Sequence, residues 1–212
     1  MPCLKLTSET FADLGTIPPR CAFAEPDLAN HVRRSANRNP QLAWSEVPAG
    51  THSLALICHD PDAPSRAEDV NQEGRTVPRS LPRVDFFHWV LVDLKPFGGP
   101  IQEGEFSAAV TAKGKAGPQA ARGARQGLND YTKWFASDPA MAGDYFGYDG
   151  PCPPWNDSIV HQYVFTLYAL NIRECPVAAR FTGPEVLAAV EGRILDSAVL
   201  TGTYSLNLAT ST

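Results

Sequence analysis

Three stretches of the chain carry almost continuous apolar residues and predict buried β-strands. They are "HSLALICH" (His52–His59), "FHWVLVDL" (Phe87–Leu94) and "QYVFTLYAL" (Gln162–Leu170), all dominated by Leu, β-branched and aromatic side chains. "QLAWSEVP" (Gln41–Pro48) predicts a weaker strand that ends at its proline. The 19 prolines and 16 glycines interrupt the chain with turns, which is typical of a mainly β protein.

Apolar residues at steps of three and four predict one amphipathic helix in "GPEVLAAVEGRILDSAVL", residues 183–200. Its buried stripe would consist of Leu187, Val190, Ile194 and Ala198. Pro184 suits the first helical position, and Gly202 is the expected stop before a short last strand in "LTGTYSL". Many strands followed by a late helix favour a β-sandwich with short helices near the C-terminus, which we expect to be a single domain of residues 1–212.

Composition and charge narrow the classes of function. The 212 residues are 43% hydrophobic and 19% charged with a net charge of -5, and no Lys/Arg cluster is dense enough to follow a nucleic-acid backbone. The basic run His31–Arg38 is interpreted as a solvated loop. Five cysteines without CxxC or zinc-ribbon spacing predict free thiols in a reducing compartment, with no metal and no cofactor.

The distribution of apolar residues also indicates where in the cell the protein is located. No apolar run approaches the roughly 18 residues of a membrane span, and no apolar leader follows Met1. We therefore expect a cytoplasmic protein with at most peripheral membrane contact. A secreted form that has lost its leader stays an alternative.

Polar residues gather at the ends of the predicted strands. Asp60 and Asp62 follow the first strong strand, and because proline fixes φ and lacks an N–H, we expect that strand to stop at Asp60. His88 opens the next strong strand, so antiparallel pairing of the two would bring it beside both aspartates. His161 opens the third, after a loop stiffened by Gly and Pro. The sequence therefore predicts a pocket at one rim of the sandwich.

The residue types at this rim predict a small anion as ligand. Histidine N–H groups and the backbone N–H of Gly150 can donate to a phosphate or carboxylate, with Trp89 and Tyr163 as aromatic neighbours. The aspartates can accept from an ammonium or hold a histidine in one tautomer, so an anion with an attached amine also fits. The alternatives are structural: the aspartates as turn formers, the histidines as ordinary strand-end residues, and the aromatic residues as core.

Three blocks of the sequence resemble a known family. "DPDAPS" (Asp60–Ser65), "HWVLVD" (His88–Asp93) and "YDGPCPP…HQYVFTLYAL" (Tyr148–Leu170) resemble signature blocks of the phosphatidylethanolamine-binding protein family, most closely its bacterial, Raf-kinase-inhibitor-like branch. The resemblance covers most of residues 40–205 and implies a Greek-key β-sandwich of two antiparallel sheets with a small anion-binding cavity at one end. The ligand-binding positions that it implies are Asp60, Asp62, Pro64, His88, Tyr148, Gly150, Pro154, His161 and Tyr163.

The resemblance also implies a function. Members of this family bind phosphate-bearing head groups, and some inhibit kinases or serine proteases. We therefore expect a protein that binds a small phosphorylated or carboxylate ligand and modulates a partner kinase or protease, with its oligomeric state left open. The chain departs from the family pattern at Asn39, at Asp149, and at Gln162, where an arginine is usual. A long insertion, Arg66–Val84, carries four arginines that could cover the pocket or meet a partner.

Two other functions stay open. In the first, the pocket is vestigial and the protein is an interaction or inhibitor module that works through the Arg66–Val84 insertion and the Gly- and Ala-rich surface excursion Ser107–Gly127. In the second, the protein is a histidine-dependent or metal-assisted hydrolase, with Ser65, His88 and Asp60 as a conceivable triad. Because no HExxH, GxSxG or paired-His motif supports a hydrolase, binding without catalysis is the expected function.

Overall fold

The computed structural model describes residues 3–210 of the protein. The strands are β1 (Lys5–Thr7), β2 (Ala24–Asp27), β3 (His31–Arg34), β4 (Ala43–Ser45), β5 (Ser53–Pro64), β6 (Arg83–Leu94), β7 (Arg125–Gln126), β8 (His161–Leu170) and β9 (Ile194–Tyr204). The α-helices are α1 (Tyr131–Trp134) and α2 (Gly183–Val190), and short 3₁₀ turns cover Pro19–Cys21 and Ala121–Gly123. No helix within residues 3–210 is long and apolar enough to cross a membrane.

An antiparallel five-stranded sheet with the strand order β7-β6-β5-β8-β9 forms the centre of the molecule. Its middle strand, β5, is buried on both faces, because Leu54 and Leu56 belong to one apolar cluster and Ala55 and Ile57 to the other. Burial on both faces accounts for the near-continuous apolar run of this strand. The three strongest strands predicted from the sequence are the neighbours β6, β5 and β8. The antiparallel pairing of β5 with β6 agrees with the prediction, and β5 also pairs antiparallel with β8, which the sequence did not predict.

Different elements cover the two faces of this sheet. One face packs against N-terminal residues such as Leu6 and Phe23, in a region where β1 pairs with β4 and β2 with β3. The other face packs against α2 through Val186 and Val190, which are fully buried. The mainly β, antiparallel architecture is therefore confirmed. The two-sheet Greek-key sandwich is not confirmed, because residues 3–210 form one five-stranded sheet and two two-stranded sheets.

The expected stop of the first strong strand at Asp60 is wrong. β5 continues to Pro64 and pairs with β6 up to that residue, with a register shift between Asp60 and Ala63 that marks a bulge. On its other side, the pairing of β5 with β8 ends at His59, so β5 has an unpaired edge beyond that point. Proline is tolerated at a bulge and on an edge because no ladder N–H is needed there, so Pro61 does not end the strand.

The predicted C-terminal helix is shorter than expected because its second half forms a strand. α2 begins with a capping box between Thr182 and Glu185 and ends at Val190. Gly192 follows with a φ of 70°, a left-handed conformation that commonly ends a helix. From Ile194 onward, β9 pairs with β8 over the whole length of that strand. This long-range pairing outweighs the helical spacing of the apolar residues.

The buried stripe expected for the longer helix is consequently wrong. Leu187 is 38% exposed and Ile194 is 41% exposed, whereas Ala198 lies inside β9. Gly202 also lies inside β9 and does not end a helix. A Cβ atom at this glycine would lie 2.4 Å from the side chain of Ile17, so the residue is small because two segments pack closely there.

Candidate functional site

A cavity of about 360 Å³ opens where the ends of β5, β6 and β8 meet α1 and the Gly/Pro loop before β8. Most of its wall is apolar or aromatic. Because β5 pairs with β6 and with β8, residues that are far apart in the sequence come together at this end of the sheet. The expected ligand-binding residues that line the cavity are Asp60, Pro64, His88, Pro154, His161 and Tyr163.

Four charged side chains form a buried chain at the polar end of the cavity. His161 donates from Nδ1 to Asp60 Oδ2 at 2.7 Å and from Nε2 to Asp157 Oδ2 at 3.1 Å. Arg83 donates to both oxygens of Asp157, at 2.6 and 3.1 Å. The signs of the charges alternate along the chain from Asp60 to Arg83. Since both ring nitrogens of His161 donate to carboxylates, the imidazole carries both protons and is positively charged.

The same contacts set the pKa values of this chain. Burial alone would lower the pKa of His161, but the hydrogen bonds and charges of Asp157 and Asp60 outweigh it and raise the pKa from 6.5 to about 9. Burial alone would raise the pKa of Asp157, and the hydrogen bonds from His161 and Arg83 keep it below its usual value. His161 therefore contributes a fixed positive charge to the site, while both of its N–H groups are already used.

His88, in contrast to His161, is held as the neutral imidazole. Its Nδ1 lies 2.7 Å from the backbone carbonyl oxygen of Asp149, which can only accept, so Nδ1 carries the proton. Burial lowers the pKa of His88 below its usual value despite the nearby charge of Asp60. The neutral ring therefore turns a hydrogen-bond acceptor, Nε2, away from Asp149, and no residue of the described chain donates to it.

A buried polar cluster fixes the loop that holds His88. The carboxylate of Asp149 is fully buried and accepts from Asn37 at 2.7 Å and from Asn129 at 2.8 Å, and Lys115 Nζ lies 2.9 Å away. Lys115 also donates to the backbone carbonyl of Tyr148. Burial lowers the pKa of Lys115, although the charge of Asp149 opposes the shift. Lys115 belongs to the Ser107–Gly127 excursion, so part of that segment is buried beneath the site.

Tyr163 lines the cavity and has a buried, unpaired hydroxyl. Its side chain is 1% exposed, and its hydroxyl has no hydrogen-bond partner among the residues that the structure describes. Its ring packs edge-on against His88, with the ring centroids 5.1 Å apart. Burial raises the pKa of Tyr163 well above its usual value, so the group stays protonated and can donate. Buried polar groups are rarely left unpaired, which points to a partner that binds here.

Three expected ligand-binding residues lie outside the cavity. Asp62 accepts from the backbone N–H of Gln162 at 2.9 Å. The Tyr148 hydroxyl donates to a backbone carbonyl at 2.6 Å in the core. The Gly150 N–H donates to the side chain of Asn37 at 2.8 Å, so it is not free to hold an anion. A Cβ atom at Gly150 would lie 2.1 Å from a backbone oxygen, which shows that this glycine is required for close packing.

Two further expectations about the site are corrected. Asp60 does not orient His88, because its oxygens accept from His161 and from the N–H of Asp62, the latter at 2.7 Å. The conceivable triad of Ser65, His88 and Asp60 is therefore not connected, although all three residues line the cavity. Trp89 is a buried core residue rather than a pocket neighbour.

The sequence argument missed several residues of the site. It did not assign a role to Asp157, although this residue lies in the stiff loop four positions before His161. It placed Arg83 in the insertion but had no signal for its partner 74 positions away. It also missed α1, whose Tyr131 and Trp134 line the cavity, because four helical residues carry no readable period.

Comparisons with known proteins identify the family of the chain. Residues 7–205 match the family model described as phosphatidylethanolamine-binding protein. The chain therefore belongs to the phosphatidylethanolamine-binding protein family. Among its relatives is a UPF0098 protein of Methanothermobacter thermautotrophicus, 32% identical over 95% of this chain and 98% of the relative. The UPF0098 protein YbhB of Escherichia coli is 31% identical over 95% of this chain and 100% of its own length.

Solved structures show the same fold. A putative phosphatidylethanolamine-binding protein homologue from Chlamydia trachomatis superposes with a TM-score of 0.65 at 27% identity, over 97% of this chain and 99% of the other. YbcL of Escherichia coli, described as a new member of the mammalian family, superposes with a TM-score of 0.64 at 24% identity, over 95% and 98% of the two chains. At this level of identity, the second comparison supports the fold alone.

Proposed function

We propose that the protein binds a small ligand whose anionic group, a phosphate or carboxylate, occupies the polar end of the cavity. The observation that carries this proposal is the hydroxyl of Tyr163, a residue of the cavity wall, which is buried without a partner among residues 3–210. A buried hydroxyl without a partner lowers the stability of the protein unless a ligand accepts a hydrogen bond from it. The apolar cavity with a few polar groups is typical of small-molecule sites.

Each polar residue has a distinct role in this proposal. Tyr163 donates to an oxygen of the anion, while the positive charge of His161 offsets the negative charge of Asp60, which lines the cavity beside it. Neutral His88 presents an acceptor, so it accepts a hydrogen bond from the ligand, either from a protonated anion or from an attached ammonium. A ligand that has both a donor and an acceptor at its head therefore suits the site better than an anion with acceptors only.

We propose binding rather than catalysis, because among the described residues neither candidate nucleophile of the cavity, Cys152 or Ser65, is hydrogen-bonded to a histidine. Cys152 lines the cavity and is exposed, and partial desolvation by the surrounding protein atoms raises the pKa of its thiol to about 12. Such a thiol stays protonated and weakly nucleophilic. The serine of the cavity, Ser65, has no connected histidine–aspartate pair, because Asp60 bonds to His161 and His88 to a backbone carbonyl.

Location and protein partner belong to the same proposal. Cys3, Cys21, Cys58, Cys152 and Cys175 are free thiols, which supports a reducing compartment such as the cytoplasm. Modulation of a kinase or protease stays a prediction that follows from the family. It is tested separately by measuring partner activity with and without saturating ligand.

Isothermal titration calorimetry with inorganic phosphate and with phosphoethanolamine tests the binding proposal. We expect Tyr163→Phe to weaken both ligands about tenfold or more, since a hydrogen bond to a charged group contributes roughly 1.5–3 kcal/mol. Tyr168→Phe is the matched control, because this tyrosine lies on the same strand outside the cavity. Equal affinities in wild type and Tyr163→Phe, or no binding at all, would refute the proposal.

A further inference from the structure

The cavity is much larger than an anionic head group. Since a water molecule takes about 30 Å³ of liquid volume, about 360 Å³ has room for roughly twelve waters, whereas a phosphate group has only five heavy atoms. The polar groups Asp60, His88, His161 and Tyr163 belong to β5, β6 and β8, and His88 lies in the middle of β6 rather than at its start as expected. Most of the remaining wall is apolar, so a second compartment adjoins the polar end.

An aromatic cluster forms one part of this apolar wall. Phe86 meets Tyr131 edge-on with a centroid distance of 5.3 Å, and Tyr131 stacks on Phe135 at 5.5 Å and on Phe23 at 4.7 Å. All four rings line the cavity, together with Trp134, which is 51% exposed. Aromatic side chains that pack on each other present a rigid surface, and a rigid surface favours a flat ring over a flexible chain.

The insertion forms another part of the wall. Its residues Arg66, Ala67, Val70 and Asn71 line the cavity, and Val70 is 8% exposed. The side chain of Asn156 fastens this segment from the loop before β8. Asn156 accepts from the N–H of Asn71 at 3.0 Å, and its amide group donates to the backbone carbonyls of residues 69, 72 and 75 at 2.8, 3.3 and 3.1 Å.

We infer that the ligand is a small phosphate monoester with a ring-sized apolar body, and that Val70 of the insertion and Trp134 of α1 select this body. The inference rests on the proposed function and adds the part of the ligand beyond its head. A monoester suits the head site because its monoanion keeps a P–OH donor for His88 beside oxygens that accept from Tyr163. The apolar body gains affinity by burying its ring against the aromatic rings and Val70.

Calorimetry with three ligands tests the ligand class: phenyl phosphate, inorganic phosphate and phosphoethanolamine, the last being a head group without an apolar body. We expect phenyl phosphate to bind about tenfold or more tightly than the other two, because a buried ring removes apolar surface from water. If phosphate binds and phenyl phosphate gains nothing over it, only this inference is overturned. If none of the three binds, the proposed function falls, and this inference with it.

Matched substitutions test the two selecting residues. Trp134→Ala and Val70→Ala should each weaken phenyl phosphate by about three- to tenfold and leave inorganic phosphate unchanged. Phe97→Ala and Val160→Ala make similar changes at exposed positions outside the cavity and should alter neither ligand. Equal losses for both ligands, or losses in the two controls, would overturn the assignment.

A third substitution tests whether the fastened insertion acts as a wall. Asn156→Ala removes the hydrogen bonds to the segment of residues 69–75 and should abolish the preference for phenyl phosphate while phosphate still binds. If this variant fails to fold, Val70→Ala decides the question, since it removes only two methyl groups from the part of the wall that the insertion itself supplies. An undiminished preference in folded Asn156→Ala would overturn the role of the insertion.

Discussion

Removing the Tyr163 hydroxyl should stabilise the ligand-free protein. The hydroxyl is buried without a partner among the residues described, and such a group costs about 1–3 kcal/mol. In Tyr163→Phe this cost disappears, while the ring keeps its packing against His88. For a chain of 212 residues, each kcal/mol corresponds to about 2–4 °C in Tm, so we expect Tm to increase by roughly 2–12 °C. The same substitution should weaken anion binding, so stability and affinity change in opposite directions.

Thermal unfolding of the ligand-free protein, followed by circular dichroism, measures this effect. Tyr148→Phe is the control, because this tyrosine is equally buried but its hydroxyl donates to the backbone oxygen of Cys21 at 2.6 Å. The control should lose about 1–3 kcal/mol, since it leaves a buried carbonyl without its donor. If Tyr163→Phe is destabilised to a similar extent, its hydroxyl has a partner and the argument for an open donor is refuted.

Three further predictions concern the charged groups. Because the folded-state pKa of His161 is raised from 6.5 to about 9, its protonation contributes about 3 kcal/mol to the free energy of unfolding. This contribution is fully present below pH 6.5 and is lost as the pH rises through about 9, which urea unfolding at several pH values measures. Lys115→Met leaves a buried carboxylate without its cation and should cost about 3–5 kcal/mol, whereas Lys133→Met at an exposed pair should cost less than about 0.5 kcal/mol in the same assay. Burial lowers the pKa of His88, so this residue gains its second proton, and with it a donor for sulfate, only below pH 6.5. Sulfate, which only accepts hydrogen bonds, should therefore bind more tightly as the pH falls below 6.5, and calorimetry should find this pH dependence absent in His88→Gln.

The central strands could be predicted from the sequence because their burial leaves a local signal. The middle parts of β5, β6 and β8 are almost continuously apolar, and the antiparallel pairing of β5 with β6 follows from adjacency in the chain, whereas the pairing of β5 with β8 does not. The pairing of β5 with β6 made it possible to expect Asp60 and His88 at one cavity. The end of α2 could not be predicted, because the apolar spacing of residues 183–200 fits a helix as well as a strand. Only the long-range partner β8 decides between them.

Details of the site depended on contacts that a single sequence does not reveal. Whether Pro61 ends a strand depends on which neighbour still pairs with β5, and β8 has already diverged there. The role of Gly150 was misjudged because its N–H is taken by Asn37, a residue 113 positions away. The protonation states of His88 and His161 depend on whether a carbonyl or a carboxylate lies opposite each nitrogen, and residue types alone do not give that information.

The insertion is attached to the site at two places, which bears on the alternative of a vestigial pocket. At the apolar compartment, Val70 is held in the wall through the hydrogen bonds of Asn156. At the polar end, Arg83 pairs with Asp157, which in turn keeps His161 charged. A segment that served only as an external docking surface would need neither connection, and a collapsed pocket would leave no buried hydroxyl unpaired. Both attachments make the insertion part of the ligand site. Through Arg83 it affects the charge at the polar end of the cavity, and through Val70 it limits the space in the apolar compartment.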